Sequence, residues 1–183
     1  HAAVDRRQHG VANDVLAVPE NMIRLPEQRR GGEAERLDLY LSWPRLAGYN
    51  ADEVGAFNGS TDAPGLLFVS FEERVMSRDM AGRYEPIYKF LTEGAGTDGP
   101  LALTRYKLQA KAGYLNEVLY VSAEQDNGRR FVARCIEDST EHRIAPCERD
   151  IQIGTNLSAI VRFPQALLED WRALDAAIPI FIG

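Results

Sequence analysis

The chain is poor in the residues that most often carry chemistry. It holds three histidines, two cysteines and three lysines, the last being Lys89, Lys107 and Lys111. His1 and His9 fall in a polar leader, which leaves His142 as the one histidine of the expected folded body. Zinc sites draw several His, Cys or carboxylate ligands from short spacings, and no such grouping occurs, so no metal and no cofactor is expected. P-loop, EF-hand and C-x-x-C patterns are absent, and no G-x-S-x-G elbow supports a serine nucleophile. The best enzymatic arrangement on offer is Cys147 with His142, and it requires an unpaired Cys147. The carboxylates of Glu72-Glu73 and Glu169-Asp170 are neighbours in sequence, as solvated surface pairs are. No apolar run approaches the ~18 residues of a membrane-spanning helix. A net charge of −6 argues against a nucleic-acid surface. The function classes left open are mostly non-catalytic.

What remains is an ordinary globular composition, 45% hydrophobic and 26% charged. At 183 residues the chain is expected to be one domain with a real core. Residues 1–13 have no useful period and read as a flexible tether, so the domain is expected over 14–183. The chain starts at His1 rather than methionine, and an upstream signal peptide or membrane anchor is expected to have been removed.

The most informative stretch runs from Arg129 to Pro164. Alternation over 129–137, 147–153 and 157–163 predicts three consecutive strands separated by turn residues. Cys135 and Cys147 then lie near the facing ends of two antiparallel neighbours, within reach of a disulfide. Two buried free thiols are the alternative, and a thiol titration of the unreduced protein separates them.

Arg24, Arg29, Arg30 and Arg36 surround the Gly31-Gly32 turn, ahead of an alternating strand from Leu37 to Trp43. Guanidinium forks match carboxylates and phosphates, so the cluster is a candidate interaction surface. Pairing within the chain, to Glu27, Glu33 and Glu35, is the competing reading. Asn21, Met22, Ile23, Arg24, Gln28, Arg29, Gly31, Gly32, Trp43, Pro44, Gly48 and Tyr49 form a pattern. It resembles the periplasmic part of uncharacterised, single-helix membrane-anchored proteins of proteobacteria. The block from Arg134-Cys135 through Cys147 and Arg149-Asp150 to the helix of Trp171 is similar as well. The resemblance implies a periplasmic location and an inner-membrane anchor, and it implies no catalytic residues.

Residues 50–65 read as a loop, and Leu66–Glu72 as a strand. Ser77 is expected to cap a helix through about Thr92, divided or kinked at Pro86. Tyr84 and Tyr88 share one face of it, as a ligand groove or as core packing. Gly94 to Gly99 matches G-x-G-x-x-G, but a helix before it and a strand after it invert the dinucleotide-binding context, so a flexible loop is expected. Strands over 101–108, 117–123 and 129–137 make a meander. A closing helix over 165–177 precedes an apolar end containing Phe181, a second candidate interaction surface.

The fold class expected is α+β, a mostly antiparallel sheet with a mid-chain helix and a C-terminal helix packed on it. The function expected is a non-catalytic envelope domain that contacts another protein. A small-molecule or lipid binder is the alternative.

Overall fold

The structure, a computed structural model, describes residues 5–48, 65–123, 129–137 and 143–182, with side chains as far as Ile178. The meander is the backbone of the fold. Strands β4 (Arg36–Ser42), β5 (Leu66–Glu73), β6 (Thr92–Asp98), β7 (Leu103–Leu108) and β8 (Glu117–Ser122) join β9 (Val132–Ile136), β10 (Cys147–Ile153) and β11 (Leu157–Phe163). Together they form one eight-stranded sheet in the order β4-β5-β11-β10-β9-β8-β7-β6. Every pairing in it is antiparallel. The α+β expectation holds, and so do the strands expected on either side of the cysteines.

Alternation decides which side chains meet. Leu37, Leu39 and Leu41 of β4 share a buried face with Val69, Phe71, Val161 and Phe163. A 3-10 turn over Gln165–Asp170 and the helix Trp171–Ile182 cover that face through Leu167, Leu168, Trp171, Leu174 and Ile178. Trp171 packs on Phe131 with ring centroids 5.0 Å apart, and its indole N–H donates to the Leu101 carbonyl. The helix runs past the expected end at Ala177 and includes Phe181 in its last turn. The side chain of Phe181 is outside the described part.

The N-terminal segment departs from expectation. Residues 6–11 of the supposed tether form strand β1 (Arg6–Val11), which pairs with β2 (Asp14–Pro19) through a turn at Ala12-Asn13. A short parallel strand β3 (Gly32–Glu33) joins β1. The domain therefore begins well before Asp14. His9 and Val11 supply the buried face of β1. A buried histidine reads as polar in a sequence, so the period of two is hidden there.

The mid-chain helix is also much shorter than expected. Helix α1 spans only Met80–Arg83, and the C-terminal helix is α2. Asp79, not Ser77, caps α1 by accepting from the Gly82 N–H at 3.1 Å. A turn through Pro86 leads to a 3-10 turn at Tyr88–Phe90, since proline has no N–H to continue a helix. The glycine-rich segment expected as a loop is strand β6, at the sheet edge. Gly96 lies so close to β7 that a Cβ there would come within 2.3 Å of Thr104 Cγ2 and 2.8 Å of the Tyr106 ring. Close backbone approach explains that glycine.

Candidate functional site

Cys135 and Cys147 stand directly opposite each other on β9 and β10 and are joined as a disulfide, with Cα atoms 4.0 Å apart. Both are fully buried. Cys147 therefore has no thiolate to offer, which removes the Cys147–His142 arrangement; His142 lies outside the described residues.

The arginine segment folds along the outer edge of β4. The Arg24 N–H donates to the Asp38 carbonyl at 2.9 Å. The Gln28 amide donates to the Arg36 carbonyl at 3.1 Å and accepts from the Asp38 N–H at 2.8 Å. Beneath this arm sits the Asp38 carboxylate, which is buried. It accepts from the Ser70 hydroxyl at 2.7 Å, from Arg36 Nε at 2.9 Å and from Gln28 Nε2 at 3.2 Å. Burial pushes its pKa up, but those three hydrogen bonds outweigh burial and hold it below the ordinary carboxylate value. Asp38 alternates with Leu37 and Leu39 along β4, so it lies on the face away from the apolar core, and the folded arm is what buries it.

The four arginines therefore separate. Arg36 is committed to Asp38 and Ser70. Arg29 Nε donates to the Ile23 carbonyl at 3.1 Å. Arg24 is half-exposed, 3.9 Å from Asp38, with its guanidinium 5.5 Å from the Phe68 ring centroid. Arg30 is exposed and has no ion pair among the described residues. Pairing within the chain is the fate of most of the cluster, but its acid is Asp38 rather than Glu27, Glu33 or Glu35.

Tyr84 and Tyr88 are buried in a second apolar cluster with Met80, Leu108, Leu119, Val121 and Val132, on the face of the sheet opposite α2. Arg130 stacks on Tyr84 and Arg83 on Tyr88. Arg83 also binds Asp150 at 2.7 Å. Burial alone would lower the Arg83 pKa, and the bond to Asp150 reverses that and raises it. Of the two readings of Tyr84 and Tyr88, ligand groove or core packing, their burial in this cluster fits core packing.

An open cleft lies elsewhere, between the Ala12-Asn13 turn, Glu33–Glu35 and the end of β5. Its volume is about 730 Å³, and Asp14, Glu33, Glu35 and Glu73 line it. Among the described residues no group of acids, histidines or cysteines is spaced to hold a metal ion.

These features define a disulfide-bonded α+β domain with a closed sheet edge at β4 and an apolar core on each face. No family model matches the chain, and no curated protein matches it. Two solved structures share its fold. One is Smlt3025, an immunity protein of the Stenotrophomonas maltophilia type IV secretion system, with a TM-score of 0.59 and 16% identity over 97% of this chain and 92% of that one. The other is the Neisseria meningitidis iron-regulated outer membrane lipoprotein FrpD, with a TM-score of 0.51 and 9% identity over 97% of this chain and 90% of that one. At these identities the likeness is one of fold, and it extends over nearly the whole domain. Neither is named for a catalytic activity. The disulfide fits an extracytoplasmic setting.

Proposed function

We propose that this chain is a non-catalytic periplasmic domain that binds another envelope protein and is held at the inner membrane by an upstream anchor. One observation carries the reading: the whole domain shares its fold with an immunity protein and an outer membrane lipoprotein. The disulfide supports the compartment, because such bonds persist where the medium is oxidising. Arg24 over Phe68 supplies the arginine and aromatic surface that protein interfaces favour, and Arg30 is a further exposed arginine of the same segment.

The test is a cross-linked pull-down from the envelope fraction, using the full-length gene product. A stoichiometric protein partner, reduced by Arg30→Glu with no change in unfolding midpoint, is the expected result. Arg29 is a poorer choice because its guanidinium ties down the Ile23 carbonyl. Recovery of no partner, or of a lipid or small molecule bound at unit stoichiometry, would overturn the reading in favour of ligand binding.

A further inference from the structure

The two edges of the eight-stranded sheet are finished differently. At β4, the Arg24 N–H, the Gln28 amide and the Ala47 carbonyl occupy backbone groups that face outward. At β6, all hydrogen bonds among the described residues run to β7 or to the adjoining Lys89 and Gln109. Its residues from Glu93 to Asp98 are exposed. Native edges are usually guarded by lysine, proline, a cover or a bulge. This strand carries neither lysine nor proline, and its guard is a register shift between Glu93 and Thr97. Such a shift bends the strand and confines any added pairing to a short segment. Just outside its ends stand two exposed apolar side chains, Phe90 at 73% and Leu101 at 45% exposure.

We propose that β6 is a docking edge, to which an extended segment of a partner protein adds as a further strand. Its basic side chains face Glu93 and Asp98, and its apolar ones rest on Phe90 and Leu101. The proposal rests on the binding role given above and specifies its surface. Charge selects the occupant. Neither Glu93 nor Asp98 has an ion pair among the described residues. A second copy docked through its own β6 would bring the same two acids and no lysine or arginine to the edge, so it offers Glu93 and Asp98 no opposite charge. A partner with lysine or arginine at those places has the opposite sign. Backbone hydrogen bonds supply affinity in such additions, and side chains supply selectivity.

Asp98 gives the edge a specific handle. The Gly99 N–H donates to the Leu103 carbonyl at 2.7 Å, so the alternation of an antiparallel ladder turns the Asp98 N–H outward. Asp98→Pro deletes that donor and leaves the ladder to β7 intact. Asp98→Asn deletes the charge and keeps the donor. Short random peptides displayed on phage would be selected on the intact, disulfide-bonded protein, and binding mapped by amide exchange. The expected result is a lysine- and arginine-rich selection that slows exchange of the Asp98 N–H. Asp98→Asn should weaken these peptides by up to about fivefold, the scale of one exposed ion pair. Asp98→Pro should lose them at an unchanged unfolding midpoint. Peptides that leave the Asp98 amide exchanging freely, show no basic bias, bind Asp98→Pro as they bind the wild type, or fail to emerge would each overturn the proposal. In the envelope pull-down, a partner retained by Asp98→Pro overturns the docking edge and leaves the binding role standing. A wild type that retains nothing removes both.

Discussion

Arg149 of β10 and Asp175 of α2 meet at 2.7 Å beneath the C-terminal helix. The guanidinium lies over the Phe131 ring, 4.6 Å from its centroid, in the layer that also holds Cys147 and Ile151. Arg149 is buried, and burial holds its pKa below the ordinary arginine value, against the opposing pull of Asp175. A charge in that position depends on its partner.

Removing the acid should therefore cost more than removing the pair. Asp175→Ala leaves a buried cation uncompensated, and about 3 kcal/mol of stability should be lost. Arg149→Met replaces the guanidinium with an apolar chain of similar length that still packs on Phe131, and its cost should be smaller. Urea unfolding of the two variants and the double variant checks the order. If Asp175→Ala is the milder change, the ion pair does not hold α2 to the sheet.

The disulfide makes a second prediction. Cys135 and Cys147 are separated by 12 positions, and cross-linking a loop of that size removes about 3 kcal/mol of unfolded-state entropy. Replacing both cysteines with alanine should lower the guanidinium midpoint accordingly, and reductant should lower the wild type to a similar value without affecting the variant. Equal midpoints in oxidised wild type and variant would contradict the entropic account.

The meander and its disulfide were legible because both follow from a period of two and from register. The same residues that alternate in sequence, from Val132 to Phe163, alternate in burial. Three features were illegible for separate physical reasons. Strand β1 hides its inner face behind His9, whose Nε2 pairs with the Gln28 carbonyl. The apolar stripe of Tyr84 and Tyr88 is real, but Pro86 forbids a continuous helix, and tertiary packing on β7 to β9 holds the residues in turns. The role of Asp38 depends on an arm that folds back across several residues, and no local pattern encodes that return. Gly48 belongs to the same arm's docking: a Cβ there would lie 2.7 Å from the Asn21 backbone carbonyl. Its presence in the sequence motif was visible, and its reason was not.

Asp38 links the arm to pH. Its folded pKa lies below the unfolded value, so its contribution is complete above the unfolded pKa and is lost as pH falls through the folded one. Stability should therefore fall on acidification below about pH 4. Asp38→Asn should destabilise the protein at neutral pH by about 2 kcal/mol, as a loss of charge-assisted hydrogen bonds. It should also flatten that part of the acid limb. Urea midpoints of both proteins between neutral and strongly acidic pH measure the difference. Parallel acid limbs would show that other carboxylates govern it.

Gln28 is the residue that lets the β4 edge end. Its amide meets Arg36 and Asp38 as a neighbouring strand's backbone would, with one donor and one acceptor. Gln28→Ala deletes these two bonds and the one to Asp38 Oδ2, and should cost about 3 kcal/mol, at roughly 1 kcal/mol each. It should also speed exchange of the Asp38 N–H while leaving amides of β8 and β9 protected. Gln28→Glu separates shape from charge. The new carboxylate can still accept from the Asp38 N–H, but it replaces the donor that now lies 3.2 Å from Asp38 Oδ2. Two carboxylates then share that site, so Gln28→Glu should be less stable than Gln28→Ala at neutral pH and should recover part of the loss on mild acidification. A Gln28→Glu protein as stable as the wild type at neutral pH would mean that the backbone contact from Arg24 closes the edge without the amide.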